Sequence, residues 1–159
     1  MELEKEIHQN IGFASEYQKL SVNILYSASW LDSFISRKLK PFGLTIQQFN
    51  VLRILRGQLP EPATINTLIE RMIDKSSNAS RLVDRLQHKE LVERCSNTVD
   101  KRSVHVKITH KGLDLLSTID QHTASFEEAI HHLPEKEARE LNRLLDKMRG
   151  NGKEMINKN

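Results

Sequence analysis

The chain has 159 residues, of which 38% are hydrophobic and 28% charged, with a mean hydropathy of −0.52. This composition is typical of a water-soluble globular protein, and the length suits one domain with a single main core. No apolar run is long enough to span a membrane, the acidic N-terminal stretch does not fit a signal peptide, and the single cysteine excludes a disulfide framework, so we expect a cytoplasmic protein.

The positive charge is concentrated in the middle third of the chain. The net charge is +3, but residues 65–111 hold ten Lys or Arg against six Asp or Glu. The rest of the chain holds fourteen against fifteen. A local excess of this kind indicates a polyanionic partner without identifying it.

The first predicted element is a long helix over residues 15–40. One apolar face recurs at spacings of three and four residues and comprises Leu20, Ile24, Ala28, Leu31 and Ile35. Tyr26, Trp30 and Phe34 form a second apolar stripe beside that face. Because a helix that is apolar on two sides must bury both, we expect one side to meet the core and the other a second subunit.

Three shorter helices are predicted next. Pro41 ends the long helix, and Thr45 starts the following one with Gln48 at capping-box spacing. Thr64 is the expected N-cap of a short helix. A further helix covers residues 78–90, and its apolar positions at i, i+3, i+4 and i+7 are Ala79, Leu82, Val83 and Leu86.

A two-stranded ribbon follows these helices. Val104, Val106 and Ile108 alternate with polar residues, which is the period of a half-buried strand. The preceding strand begins near Leu91, and the turn between the two strands carries a charged tip. Two helices are expected after the ribbon, one from Thr109 to about residue 131 and a last one from Pro134.

This order of elements predicts a mainly α fold with a small β-ribbon wing, a winged helix-turn-helix flanked by additional helices. We expect residues 1–44 to form an N-terminal dimerisation helix. Residues 45–109 are the predicted DNA-binding lobe, and residues 110–159 the C-terminal dimerisation helices.

The polar face of the 78–90 helix and the tip of the ribbon predict binding to double-stranded DNA. Such a helix fits the major groove, and a cation at the tip fits the minor groove. The residues that we expect to contact DNA are Thr64, Lys75, Ser76, Ser77, Asn78, Ser80, Arg81, Arg85, Lys101 and Arg102. Among them, Thr64 and Lys75 are candidates for phosphates, and Arg102 for the minor groove. Asp100 would repel phosphate, so we expect it to orient the wing by pairing with Arg85 or Arg94.

These stretches resemble the signature of the MarR family of bacterial transcription regulators. The matching segments are Arg81–Leu86 (R-L-V-D-R-L), Leu91–Arg94 (strand entry), Asp100 with Arg102 (Asp-x-Arg wing) and Thr109 with Gly112 (T-x-x-G). Glu90 departs from the family's usual glycine, and Lys101 from a frequent arginine. The resemblance covers essentially the whole chain.

The resemblance implies a homodimer that binds a pseudo-palindromic operator, usually as a repressor. It also implies an effector, a small aromatic or phenolic compound of unknown identity, lodged between the dimerisation helices and the lobe. Tyr26, Trp30 and Phe34 are the candidate pocket residues, although we interpret this stripe first as core or dimer interface. No cofactor is expected.

Other functions have weaker support in the sequence. No glycine-rich phosphate loop, nucleophile motif or obvious carboxylate pair predicts an enzyme, and the seven histidines show no zinc-site spacing. Some relatives sense peroxide through a cysteine near the start of the first long helix, where this chain has none. Cys95 lies on the first strand of the predicted ribbon, and we interpret it as a small, partly buried side chain. The alternative is a winged helix that docks a protein without binding DNA. That alternative predicts an apolar outer helix face, whereas this face carries Ser, Asn and Arg.

Overall fold

A computed structural model describes residues 2–96, 104–122 and 126–156 of the chain. Its helices and strands are α1 (Leu3–Glu6), α2 (Glu16–Leu39), α3 (Ile46–Arg56), β1 (Ala63–Thr64), α4 (Ile65–Arg71), α5 (Ala79–His88), β2 (Val92–Ser96), β3 (Val104–Ile108), α6 (His110–Asp120) and α7 (Glu135–Ile156). The predicted fold class, mainly helical with a small antiparallel sheet, is confirmed. Within these described ranges, no helix has the length and apolar character needed to cross a membrane.

The chain divides into two compact units, residues 1–123 and residues 124–159. The first contains every element from α1 to α6, and the second contains α7. The boundaries expected at residues 44 and 109 separate the dimerisation helices from the DNA-binding lobe, and this functional division stays a prediction.

The long predicted helix is present as α2. Ser15 caps it, since its Oγ accepts a hydrogen bond from the Gln18 N–H at 3.2 Å. Pro41 lies in a 3₁₀ turn directly after Leu39, and Gly43 adopts the left-handed conformation at φ 65° that turns the chain into α3. The short helix α1 was not predicted. It contacts α2 through a Glu4–Lys19 ion pair at 2.7 Å.

The core of the first unit lies between α3, α5, α6 and the sheet. The predicted capping box starts α3, with the Thr45 and Gln48 side chains each accepting from the other's backbone N–H. The fully buried side chains include Val51, Leu52, Leu55, Val83, Leu86, Val106, Leu116 and Ile119. Three of the four predicted inward residues of α5 are buried, and Leu82 is half-buried.

The sheet has three strands in the order β1–β3–β2, one more than predicted. The predicted ribbon is β2 with β3, in a register that places Cys95 opposite His105. On the other edge of β3, Ala63 pairs with Val106 and Thr64 with His105. The extra strand has only two residues, too few to produce a periodic signal in the sequence.

Helix α6 is shorter than expected, and the prediction that it reaches about residue 131 is wrong. It ends at Asp120, where the His122 N–H donates to the Ile119 carbonyl at 2.9 Å and forms a turn. The His122 ring also lies edge-on to Phe42, with ring centroids 5.9 Å apart. The apolar spacing that predicted a longer helix contains no information about a turn of this kind.

Glu90 occupies the position after α5 at which the family usually has glycine. Its φ of 61° is the left-handed conformation that glycine adopts without strain. Two groups from the start of α6 hold it there: Thr109 Oγ1 donates to the Glu90 carbonyl at 2.8 Å, and Lys111 Nζ contacts its carboxylate at 2.6 Å. The Lys111 ammonium also lowers the pKa of the Glu90 carboxyl. The conformation that glycine would adopt without strain is therefore held at Glu90 by two contacts from outside α5.

Candidate nucleic-acid interface

Helix α5 has one buried face and one exposed polar face. Ala79, Val83 and Leu86 pack inward, so the opposite side of the helix is left to solvent. That side carries Ser80, Arg81, Asp84, Arg85, Gln87 and His88, all exposed. Neither the Arg81 nor the Arg85 guanidinium makes a hydrogen bond or ion pair within the described ranges. Both arginines are therefore available to an anionic partner.

The turn that leads into α5 is organised by Asp74. Its carboxylate accepts from the Ser76 N–H at 2.9 Å, the Ser76 Oγ at 2.6 Å and the Ser77 Oγ at 2.7 Å. These bonds hold the pKa of Asp74 below its usual value, and the bond from the Ser76 hydroxyl has the largest effect.

The predicted contact residues in this turn therefore already make hydrogen bonds within the protein. The hydroxyl protons of Ser76 and Ser77 go to Asp74, which leaves their oxygen lone pairs free to accept. Asn78 caps α5, since its Oδ1 accepts from the Arg81 N–H at 3.0 Å. Its amide N–H groups can still donate to a base edge. Asp74 was not singled out from the sequence, although an Asp two residues before a Ser is a known turn pattern.

Replacing Asp74 with Asn should weaken duplex binding about fivefold, because the turn loses its charge-assisted hydrogen bonds to Ser76 and Ser77. Fluorescence anisotropy with a labelled duplex measures this. Since the pKa of Asp74 is lowered, its bonds are complete above the ordinary carboxyl pKa and are lost only as the pH falls through the lowered value. Lowering the pH from 7 to 6 should therefore leave this contribution intact. Asp114→Asn, on the exposed side of α6, is the matched control, and equal binding by both variants would contradict the role of Asp74.

Thr64 and Lys75, the two predicted phosphate contacts, both make bonds within the lobe. Thr64 Oγ1 caps α4 by accepting from the Thr67 N–H at 3.0 Å. Lys75 Nζ donates to the Ile69 carbonyl at 3.0 Å and to that of Glu70, at the C-terminal end of α4. Their contact with DNA remains a prediction.

Arg94 links the ribbon to α5. Its guanidinium contacts the Asp84 carboxylate at 2.5 Å, so β2 is tied to the exposed side of the helix. The predicted wing residues Asp100, Lys101 and Arg102 lie outside the described residues. The proposed pairing of Asp100 therefore stays a prediction, and Asp84 is a partner of Arg94 that sequence reasoning missed.

The three candidate pocket residues follow one another along α2. The Glu6 carboxylate raises the pKa of the Tyr26 phenol. Trp30 and Phe34 stack with ring centroids 6.4 Å apart, and Lys38 Nζ lies 5.2 Å from the centre of the Phe34 ring. Trp30 keeps 44% of its surface exposed. This stripe forms a ridge with an uncovered aromatic surface.

Comparison with known proteins finds a matching family model and a similar transcription regulator. A model of the MarR family matches residues 44–104. Over 129 residues the chain is 28% identical to the HTH-type transcriptional regulator MhqR of Bacillus subtilis (strain 168), which corresponds to 80% of this chain and 88% of MhqR.

Two solved structures share its fold at lower sequence identity. One is the organohalide-sensing regulator RdhR-CbdbA1625 with 2,4-dichlorophenol bound, with a TM-score of 0.78, 22% identity and coverage of 90% of this chain and 86% of that one. The other is MepR of S. aureus in complex with DNA, with a TM-score of 0.74, 20% identity and coverage of 88% and 99%.

Proposed function

This chain belongs to the MarR family of DNA-binding transcription regulators, and we propose that it acts as a homodimeric repressor that releases its operator when a small effector binds. It is a regulator and not an enzyme, as its sequence predicted. The operator, on this proposal, is pseudo-palindromic, with half-sites about one helical turn apart.

The observation that carries this proposal is the polar outer face of α5. A protein-docking helix would present apolar residues there, whereas this face presents Ser80, Arg81 and Arg85 with both guanidiniums free in the described part of the chain. A structural neighbour with a similar fold, MepR, is solved in complex with DNA. We therefore assign α5 to the major groove and Arg102, in the predicted wing tip, to the minor groove.

Uncovered apolar surface supports the dimer. On α2, Tyr17 and Leu25 keep 83% and 71% of their surface exposed. On α7, the exposed large apolar residues are Leu141, Leu144 and Met148. Two helices that each leave several large apolar side chains in water favour a second copy as their cover.

The effector response has support from a structural neighbour. RdhR-CbdbA1625, which shares the fold, is solved with 2,4-dichlorophenol bound. In a dimer that reads two half-sites, a movement of a few ångströms in either lobe destroys the match to the operator. A small molecule that moves the lobe is therefore sufficient to release DNA.

Replacing Arg102 with Ala should weaken duplex binding by roughly tenfold and lower the slope of log affinity against log salt by about one unit, because the duplex loses contact with one cation. Titrations of a labelled duplex at several salt concentrations measure both quantities. Lys136→Ala, which removes an exposed cation on α7, is the control. If affinity and slope are both unchanged, Arg102 has no part in DNA binding.

A further inference from the structure

Lys89, the residue that directly follows α5, links this helix to the turn after α2. Its ammonium donates to the Gly43 carbonyl, 46 residues earlier in the chain. The same Nζ lies 3.4 Å from Gln48 Oε1, near the start of α3. The C-terminal end of α5 is thus bonded to the segment that joins α2 to α3.

The acceptor of this bond belongs to a rigid turn. The ring of Pro41 fixes its φ, and Gly43 ends the 3₁₀ turn with its N–H donating to the Lys40 carbonyl at 3.0 Å. Leu39 and Leu44, on either side of the turn, are both buried. A carbonyl in such a turn keeps its direction, so it can fix the position of a cation that is bonded to it.

Two other cations hold α5 from different elements. Lys111, on α6, pairs with Glu90 at 2.6 Å, and Arg94, on β2, pairs with Asp84. Both of these pairs join α5 to elements that follow it in the chain. Lys89 instead joins α5 to the turn that leads from α2, the helix whose exposed apolar surface supports the proposed dimer.

A small tilt of α5 is enough to disturb contacts with bases. The helix has ten residues. A helix of that length is about 15 Å long, so a tilt of about 10° about one end moves the other end by about 2.5 Å. A hydrogen bond tolerates a change of only a few tenths of an ångström. The predicted base contacts Asn78, Ser80 and Arg81 lie at the N-terminal end of α5, opposite Lys89, and are therefore the most sensitive to such a tilt.

We propose that Lys89 is a positioning residue for duplex recognition, and that its bond to the Gly43 carbonyl sets the tilt of α5 relative to α2. Lys89 acts through α5 and not by contact with DNA, because its ammonium is bonded within the protein at the far end of α5 from the base-reading turn. In a dimer, the same bond fixes the distance between the two reading helices. This inference rests on the DNA-binding function proposed above and names one determinant of its specificity.

Replacing Lys89 with Met, which keeps a side chain of similar length, tests this role on a duplex selected by the native chain and on a scrambled duplex. Affinity for the selected duplex should fall about tenfold, because base contacts are lost. Affinity for the scrambled duplex and the slope of log affinity against log salt should stay native. Loss on both duplexes together with about one unit of slope would identify a phosphate contact and overturn the positioning role.

Two matched variants separate position from charge. Lys89→Arg can donate to the same acceptors and should recover most of the lost affinity. Lys136→Met removes an exposed cation on α7 and should bind both duplexes as the native chain does. Failure of Lys89→Arg to recover any affinity, or an equal loss in Lys136→Met, would contradict the role of the bond to Gly43.

Duplexes whose half-sites are moved one base pair closer or further apart measure the tilt. The native chain should bind them about tenfold more weakly than the selected spacing, and Lys89→Met by about threefold or less, since a helix that can tilt accepts both spacings. Equal discrimination by the two proteins would overturn the proposal.

The bond itself is measured without DNA from the amide resonance of Leu44, whose nitrogen shares a peptide group with the Gly43 carbonyl. Lys89→Met should shift this resonance, and Lys136→Met should not. An unshifted resonance in Lys89→Met means that the bond is absent in solution and overturns the proposal. If the native chain binds no duplex, the proposed function fails and the positioning role fails with it. If the native chain binds and Lys89→Met binds identically, only the positioning role fails.

Discussion

Replacing Gly112 with Ala should destabilise the first unit by about 3 kcal/mol, because there is no room for the added methyl group. A Cβ at this position would lie 2.4 Å from the Leu91 carbonyl oxygen and 2.7 Å from Ile108 Cγ1. The first of these atoms belongs to the backbone at the start of the ribbon and cannot rotate away. The glycine of the T-x-x-G segment therefore lets α6 lie directly against the ribbon. Urea unfolding followed by circular dichroism measures the loss.

Gly12→Ala is the control for this experiment, since a Cβ there meets nothing within 4 Å. Its stability should stay within about 0.5 kcal/mol of the native chain. If Gly112→Ala unfolds at the same urea concentration as Gly12→Ala, the close approach of α6 to the ribbon is not present in solution.

Replacing Arg81 with Ala should cost about 1–3 kcal/mol of specific duplex binding. Arg81 is exposed in the first turn of α5, where a helix that enters the major groove end-on brings its side chains closest to the bases. Its backbone N–H already serves the Asn78 cap, so removal of the side chain leaves the helix start intact. Anisotropy titrations with a specific and a scrambled duplex measure the loss on each.

The two duplexes distinguish the role of Arg81. A loss confined to the specific duplex indicates a base contact, and an equal loss on both indicates a phosphate contact. Arg139→Ala, on the exposed side of α7, should bind as the native chain does. Native affinity in Arg81→Ala for both duplexes would exclude this side chain from the interface.

The sequence was sufficient to predict the features that depend on neighbouring residues. The caps at Thr45, Thr64 and Thr109 are examples, because each hydroxyl oxygen accepts from an N–H three residues later. The buried face of α5 was also readable, because its period is that of the helix itself.

Features that depend on distant residues could not be read in this way. Lys89 reaches Gly43, 46 residues earlier in the chain, and no local pattern marks that contact. The end of α6 at Asp120 coincides with an ion pair to Arg56, in which the Nη1 to Oδ2 distance is 2.5 Å. The two-residue strand β1 is defined by its pairing with one edge of β3. Of these contacts, that of Lys89 holds the end of α5, so the sequence predicted the candidate interface without showing this anchor.

The most direct test of the central claim is selection of the sequences that the full chain retains from a pool of random duplex DNA. A dimer that places one α5 in each of two successive major grooves should enrich an inverted repeat with half-site centres about 10 base pairs apart. Two chains should bind each selected duplex. Enrichment of a single half-site, or of no sequence at all at low salt, would contradict the account.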